Sequence, residues 1–270
     1  MTDRHNPIHL SLEGGCNFRD LGGYKTSDGH CLRSGILFRS GVLSYLTDSD
    51  KTNIAALNIR TIVDLRKAGE REREPTRWPD AATAILVPDS TVAPGETGNS
   101  QPDKHKQTAE DVKVFMLNFY RAMEQTMVPH LRILLDAILA RRTPLLFHCA
   151  SGKDRTGLAA ALLLHAVGVP RSTILEDYSL TNTTVDLETF IRRFRQPRLN
   201  HFNKIHPGLA LAPDARAPML RADPVYLETA LTRIEESAGS LDRFLEEKAG
   251  LTPEKRDSLR SHLLTAPDFS

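Results

Sequence analysis

Ten consecutive residues, His148-Cys149-Ala150-Ser151-Gly152-Lys153-Asp154-Arg155-Thr156-Gly157, bring a thiol, an arginine and a hydroxyl into one short stretch. The apolar run Pro144-Leu145-Leu146-Phe147 precedes them and Leu158-Ala159-Ala160-Ala161-Leu162-Leu163-Leu164 follows. The segment therefore reads as buried strand, tight loop and helix N-terminus. A cysteine just before a helix start meets backbone N–H groups and the positive end of the helix dipole, which favour thiolate. The same N–H groups, from Ala150, Ser151, Gly152, Lys153, Asp154 and Arg155, can form a nest for a tetrahedral oxyanion. Arg155 can donate a bidentate pair to two of that anion's oxygens, and Thr156 can donate its hydroxyl to the sulfur. His148 is placed to orient the loop by hydrogen bonds. The pattern predicts a phosphate cradle with a nucleophile at its base.

A nucleotide-binding Walker loop is excluded. Phe147 stands where that motif needs its first glycine, and Asp154 where Ser or Thr must hold magnesium. The three cysteines, Cys16, Cys31 and Cys149, are too few for a disulfide scaffold, and no His/Cys cluster has zinc spacing. Chemistry built on this cradle needs no metal and no organic cofactor. With 35 basic and 34 acidic residues the formal net charge is +1, which gives no argument for nucleic acid as a partner. Neither a signal-like h-region nor a membrane-length apolar run is seen, so no stable membrane insertion is expected. A cytoplasmic home is the default, with export lacking a signal peptide left open.

The elements that must position the loop can be read around it. Phe18, Leu37 and Phe38 suggest a hairpin-like opening in which Arg19, Asp20 and Arg39 could be plain surface charges. Thr47 to Asp50 caps a helix through Leu57, and Thr61 to Leu65 is a β-branched central strand. The run Glu70-Arg71-Glu72-Arg73-Glu74 reads most simply as a solvated helix end. Ala84 to Val87 is the next strand. Ser90 to Thr108 is polar and rich in Pro, Gly, Thr and Ser, as lids and long loops are. Asp111 to Met127 and Leu131 to Leu139 read as two amphipathic helices. Beyond the loop come helices from Arg171 to Leu180 and Thr184 to Phe194, then a basic patch from Arg192 to His206. That patch is either a solvated face or a guide for anionic substrates. Asp223-Pro224 and Thr252-Pro253 start two further helices. The expectation is α/β: a central, largely parallel sheet flanked by helices. It forms one domain over residues 1–270, with lid or loop insertions at about 88–110 and 197–222. The cysteine then sits at a strand's carboxyl end, where open α/β sheets place ligands.

The spacing Cys-x5-Arg-Thr, preceded by His and carrying Gly152, resembles the signature of cysteine-dependent protein tyrosine phosphatases. Asn17 to Gly23, Leu37 to Ser40, Asp64-Leu65-Arg66, Val87-Pro88-Asp89, Asp177-Tyr178 and Tyr226 to Leu245 extend the likeness to the bacterial members whose loop reads His-Cys-x-x-Gly-Lys-Asp-Arg-Thr-Gly. The resemblance spans about residue 12 to 264. It implies a tyrosine-phosphatase-like domain with a four- or five-stranded sheet, in some members under a helical lid. It also implies phosphorylated proteins or phosphoinositides as substrates. Cys149 would attack phosphorus and form a phosphocysteine that water hydrolyses, while Arg155 and the loop amides stabilise the developing charge. The proton for the leaving group has two candidate sources. Asp154 lies inside the loop, and Asp89 follows a strand end and matches the family's Pro-Asp position. Trp78-Pro79-Asp80 spells the acid-loop tripeptide of other tyrosine phosphatases, but it precedes a strand and is read as coincidence. Lys153 would add a charge beside the cradle for extra phosphates. Two rival readings remain: a sulfur transferase or arsenate reductase using the same anion loop, and a phosphate-binding module without turnover.

Overall fold

The structure is a computed structural model and describes residues 9–88, 108–201 and 206–266. Its centre is a five-stranded sheet in the order β1-β3-β6-β4-β5. These strands are β1 (Arg19–Asp20), β3 (Leu37–Ser40), β4 (Thr61–Asp64), β5 (Ala84–Leu86) and β6 (Leu145–His148). Only β1 runs antiparallel to its neighbour; β3, β6, β4 and β5 are parallel. A small ribbon pairs β2 (Cys31–Leu32) with β7 (Leu264–Thr265). The α/β sheet architecture expected from the sequence is the one observed.

Side chains of β3, β4 and β6 are buried on both faces; their apolar centres end in buried polar residues, Arg39 and Ser40, Asp64 and His148, at the carboxyl edge. Leu37, Val63, Leu145 and Phe147 join the larger core under the long helices. Phe38, Ile62 and Leu146 point the other way, into a smaller cluster with Phe18, Leu43 and Ile54. Each such fully buried side chain contributes roughly 1.5–3 kcal/mol. The register puts Ser40, His148 and Asp64 side by side at the strand ends. The residues that follow, Gly41, Cys149 and Leu65, therefore open together at the carboxyl edge.

The helices are α1 (Asp48–Ala55), α2 (Ala68–Arg73), α3 (Ala109–Leu139), α4 (Asp154–Val167) and α5 (Arg171–Ser179), then α6 (Pro224–Ala238), α7 (Leu241–Glu247) and α8 (Pro253–Leu263). Helix α3 departs from the expectation of two helices, since it runs through Pro129. Its buried stripe, Met123, Met127, Leu131, Leu134 and Ile138, keeps helical phase across the proline. Continuous burial outweighs one lost backbone bond of about 3 kcal/mol. Thr108 caps it in a reciprocal box with Asp111. Residues 181–200, expected to hold a helix from Thr184 to Phe194, instead form short helical turns, one of them a π-turn at Ile191–Arg195. Among the described residues no helix is long and apolar enough to cross a membrane.

Candidate active site

The loop from Cys149 to Lys153 joins β6 to α4, and its carbonyls are tied down from behind. Nδ1 of His148 donates to the Cys149 carbonyl at 3.1 Å. The amide of Val42 donates to Ala150 at 3.1 Å. Asn17 Nδ2 donates to Ser151 at 3.4 Å and to Gly152 at 2.8 Å, and Arg39 Nη2 reaches Gly152 at 2.8 Å. In a planar trans peptide the N–H points opposite the C=O. Anchoring four successive carbonyls outwards turns the amides of Ala150, Ser151, Gly152 and Lys153 the other way, although Lys153 N also lies 3.3 Å from Ser151 Oγ. Gly152 has φ +69, and a Cβ there would lie 2.7 Å from Ser40 and Gly41 backbone. Only glycine lets the loop pack this closely.

The anchors are themselves buried and charged. Arg19 and Arg39 are fully buried, and both pair with Asp177. Arg19 Nε lies 3.0 Å from Asp177 Oδ1, and Tyr24 donates to the same oxygen at 2.9 Å. Burial works against the Asp177 carboxylate, but the two guanidiniums hold its pKa down, to about 2. Arg19 and Arg39 are thus corrected from possible surface charges to the loop's scaffold. Asp20 is also buried and accepts from the amides of Gly22 and Gly35 at 2.8 and 2.6 Å. The signal lay in the sequence: an arginine inside a buried apolar strand needs a partner.

His148 is fully buried, and burial lowers its pKa to about 4 despite the opposing pull of Asp64. The imidazole is neutral with its proton on Nδ1, because the Cys149 carbonyl can only accept. Its Nε2 stands 3.5 Å from Asp64 Oδ2, which is itself forked by Arg66.

Arg155 departs from expectation in its company. Nη1 and Nη2 fork onto Glu70 of α2 at 2.7 and 2.8 Å, and Nη1 also meets the Leu65 carbonyl at 3.2 Å. Burial disfavours both charges, yet the pairing raises the arginine and lowers Glu70 to about 2. Of the guanidinium's five N–H groups, Nε–H and the second Nη2–H remain along one edge. That edge has the spacing for two oxygens of a phosphate. Glu70 and Glu74 are therefore not a solvated helix end. Glu74 is buried and forked by Arg195 at 2.8 Å through both oxygens. Of the basic patch, Arg195 is buried in that fork and Arg198 donates to the Arg73 carbonyl, while Arg192, Arg193 and His201 are exposed, Arg192 paired with Glu188. Lys204 lies outside the described residues.

Lys153 is corrected too. It is buried, and its ammonium donates to the carbonyls of Met219 and Arg221. It ties the loop to residues 217–221 and lies 3.3 Å from Asp154 Oδ1. Asp154 stands at the start of α4 and accepts from Tyr120 at 2.8 Å. Among the described residues the buried Thr156 hydroxyl has no partner, so the expected donation to sulfur is not made in this structure. Asp89 and most of the Ser90–Thr108 stretch lie outside the described residues. Asp80 caps a turn, accepting from Ala82 N at 2.9 Å. Cys16 sits behind the loop, its sulfur 4.0 Å from the Ser151 carbonyl, and burial pushes its thiol up to about 12. Glu70, Tyr120 and the partners of Asp177 escaped the sequence reading because nothing local ties them to the loop. A buried thiol thus sits on a turned-in loop at a strand's carboxyl end, in the same segment as an arginine forked onto Glu70.

The sequence matches the profile of the Tyrosine phosphatase family over residues 10–265. It is 32% identical to the triple specificity protein phosphatase PtpB of Mycobacterium tuberculosis over 94% of this chain and 98% of that one. A tyrosine-protein phosphatase of Nostoc commune is 29% identical over 53% of this chain and 47% of its own. Among solved structures, Pseudomonas aeruginosa TpbA in complex with phosphotyrosine aligns with TM-score 0.31 and 18% identity, covering 74% of this chain and 99% of that one. The chain belongs to the tyrosine phosphatase family, whose members are phosphoric monoester hydrolases.

Proposed function

We propose that this chain, as one phosphatase domain over residues 1–270, hydrolyses phosphate monoesters through a phosphocysteine at Cys149. The observation that carries the reading is the set of loop carbonyls anchored outwards, which leaves successive amides facing the side where an anion would meet sulfur. The substrate phosphate sits on those amides and on the open edge of Arg155. The Cys149 sulfur attacks phosphorus as the leaving oxygen departs, and water then breaks the S–P bond. Charge on the equatorial oxygens is met by groups already in position. Thr156, a buried hydroxyl with no partner among the described residues, is available to the sulfur when it leaves. Asp154 is the acid that protonates the departing oxygen, being held within the loop and part-exposed. Phosphotyrosine is the primary substrate, with phosphoserine, phosphothreonine and phosphoinositides as further ones; the likeness to a triple specificity protein phosphatase supports a range wider than one.

A thiol relay of the arsenate-reductase kind is disfavoured by Cys16. A thiol whose pKa is pushed to about 12 is a poor resolving nucleophile near neutrality. The test is release of inorganic phosphate from para-nitrophenyl phosphate by the wild type and by Cys149→Ser. Turnover in the wild type and none in the variant is expected, with phosphate covalently trapped on the wild type after rapid acid quench. Equal turnover in the two proteins overturns the reading.

A further inference from the structure

Three tyrosines from three helices meet beside Asp154. Tyr120 of α3 is fully buried and donates to Asp154 Oδ1 at 2.8 Å. Its hydroxyl lies 2.6 Å from that of Tyr178 at the end of α5. The Tyr120 ring is held edge-on to Tyr178, with centroids 6.3 Å apart, and packs on Tyr226 of α6 at 5.6 Å. Tyr178 is held as closely: a Cβ on Gly157 would lie 2.8 Å from its ring. Neither ring has room to swing. A pair of tyrosine hydroxyls buried against a loop carboxylate is a costly arrangement unless every donor is used.

Counting protons settles the direction of these bonds. An ionised carboxylate has no proton to give, so Tyr120 O–H must donate to Asp154 Oδ1. The Tyr120 oxygen is then open as an acceptor, and Tyr178 O–H donates to it. Both tyrosines hold their protons, since burial and the Asp154 charge raise each well above its ordinary range. The ammonium of Lys153 stands 3.3 Å from the same Oδ1. A proton arriving at Asp154 therefore finds Oδ1 facing one donor and one cation. Among the described residues the other oxygen, Oδ2, meets only the Ser151 hydroxyl, at 3.5 Å.

We propose that Tyr120, backed by Tyr178, is a positioning residue that holds the Asp154 carboxyl in one orientation and reserves Oδ2 for the proton given to the leaving group. This rests on Asp154 being the general acid. In the first step the S–P bond forms and the bond to the leaving oxygen breaks while the Oδ2 proton passes to that oxygen. The carboxylate left behind keeps its Tyr120 bond unchanged. In the second step water attacks phosphorus, its proton goes to Oδ2, and the S–P electrons return to Cys149. One hydrogen-bond pattern serves both states of Asp154, so nothing rearranges between the half-reactions. The charged or titratable groups facing Asp154 are Lys153 and Arg155 of its own segment, Tyr120, Tyr178 and Tyr226 from the packed helices, and the substrate phosphate.

The experiment measures kcat/KM, which reports only the steps up to phosphocysteine formation, for a series of aryl phosphates of rising leaving-group pKa in the wild type, Tyr120→Phe, Tyr178→Phe, Asp154→Asn and the double variant Tyr120→Phe/Asp154→Asn. Loss of a general acid costs roughly 10²–10⁴-fold with poor leaving groups and little with good ones. Tyr120→Phe is expected to lose about tenfold with the poorest leaving group and under about twofold with para-nitrophenyl phosphate, a fraction of the full acid effect. In the double variant it should add nothing to Asp154→Asn. Tyr178→Phe, which leaves the Tyr120 hydroxyl in place, should show the same steepening at reduced size, and stands as the test should Tyr120→Phe fail to fold. An equal loss on every leaving group, or no loss, overturns the proposal while Asp154 keeps its role. A flat response in Asp154→Asn instead removes the acid assignment and the proposal with it.

Discussion

Two sets of arginines serve the same loop and are built differently. Behind it, Arg19 and Arg39 are wholly buried and share Asp177, so none of the three charges meets solvent. In front, Arg155 and Glu70 are about one-fifth exposed, 20% and 18%, and one edge of the guanidinium is left over. The rear network can only hold shape, because each charge is desolvated and fixed by the others. The front pair holds a cation steady where a second anion can join it. The difference is one of desolvation: a fully buried pair must stay paired, while a partly exposed one can take a ligand.

Removing Asp177 is the strongest way to break that comparison. Asp177→Ala leaves two buried guanidiniums without a counter-charge, and about 3–5 kcal/mol of stability should be lost. Denaturant unfolding monitored by fluorescence reads it; a loss under about 1 kcal/mol would place this network with the surface pairs. The same group sets an acid limb. Its folded pKa, about 2, lies below the unfolded value near 4, so its contribution is full above about pH 4 and is lost as pH falls towards 2. Asp177→Asn should flatten stability across that window.

At the front the cost should fall on rate instead. Glu70→Gln frees Arg155 to turn, and kcat/KM should drop about 10- to 100-fold through misplacement. Its unfolding free energy should change by only about 1 kcal/mol. A large stability loss with unchanged turnover would reverse the two roles.

Lys153 sharpens the boundary between the regions. With its ammonium on the carbonyls of Met219 and Arg221, Lys153→Met should lower turnover about tenfold, the scale of one charged hydrogen bond. The fall should be equal on a phosphotyrosine peptide and on a soluble phosphoinositide. A selective loss on the phosphoinositide would mean the ammonium leaves those carbonyls when substrate binds. The smallest effect is expected at Asp80, which only caps a turn. Asp80→Asn should leave the leaving-group dependence unaltered and shift stability by less than about 1 kcal/mol.

The loop itself was legible without a fold. Cys149, Arg155 and the strand-to-helix setting lie within one short stretch, so local spacing alone suggested a common anion site for them. The parallel sheet was legible too, since β4 read as a short β-branched strand and β6 as an apolar run, both buried on both faces. The partners of the charges were not. Glu70 lies 85 positions from Arg155, and Asp177 lies 158 from Arg19. A charge run such as Glu70 to Glu74 has the same composition whether it is solvated or buried; what decides is which arginine the sheet brings opposite it. Tyr120 looked like any apolar position of an amphipathic helix, because a hydroxyl at the tip of a buried ring does not disturb the periodicity. Likewise the length of α3 across Pro129 follows from continuous burial on the core rather than from local propensity. Sequence determined the chemistry that one loop can do. The tertiary structure decided which distant charges hold that loop in shape, because the cost of burying a charge is offset only by partners that folding brings to it.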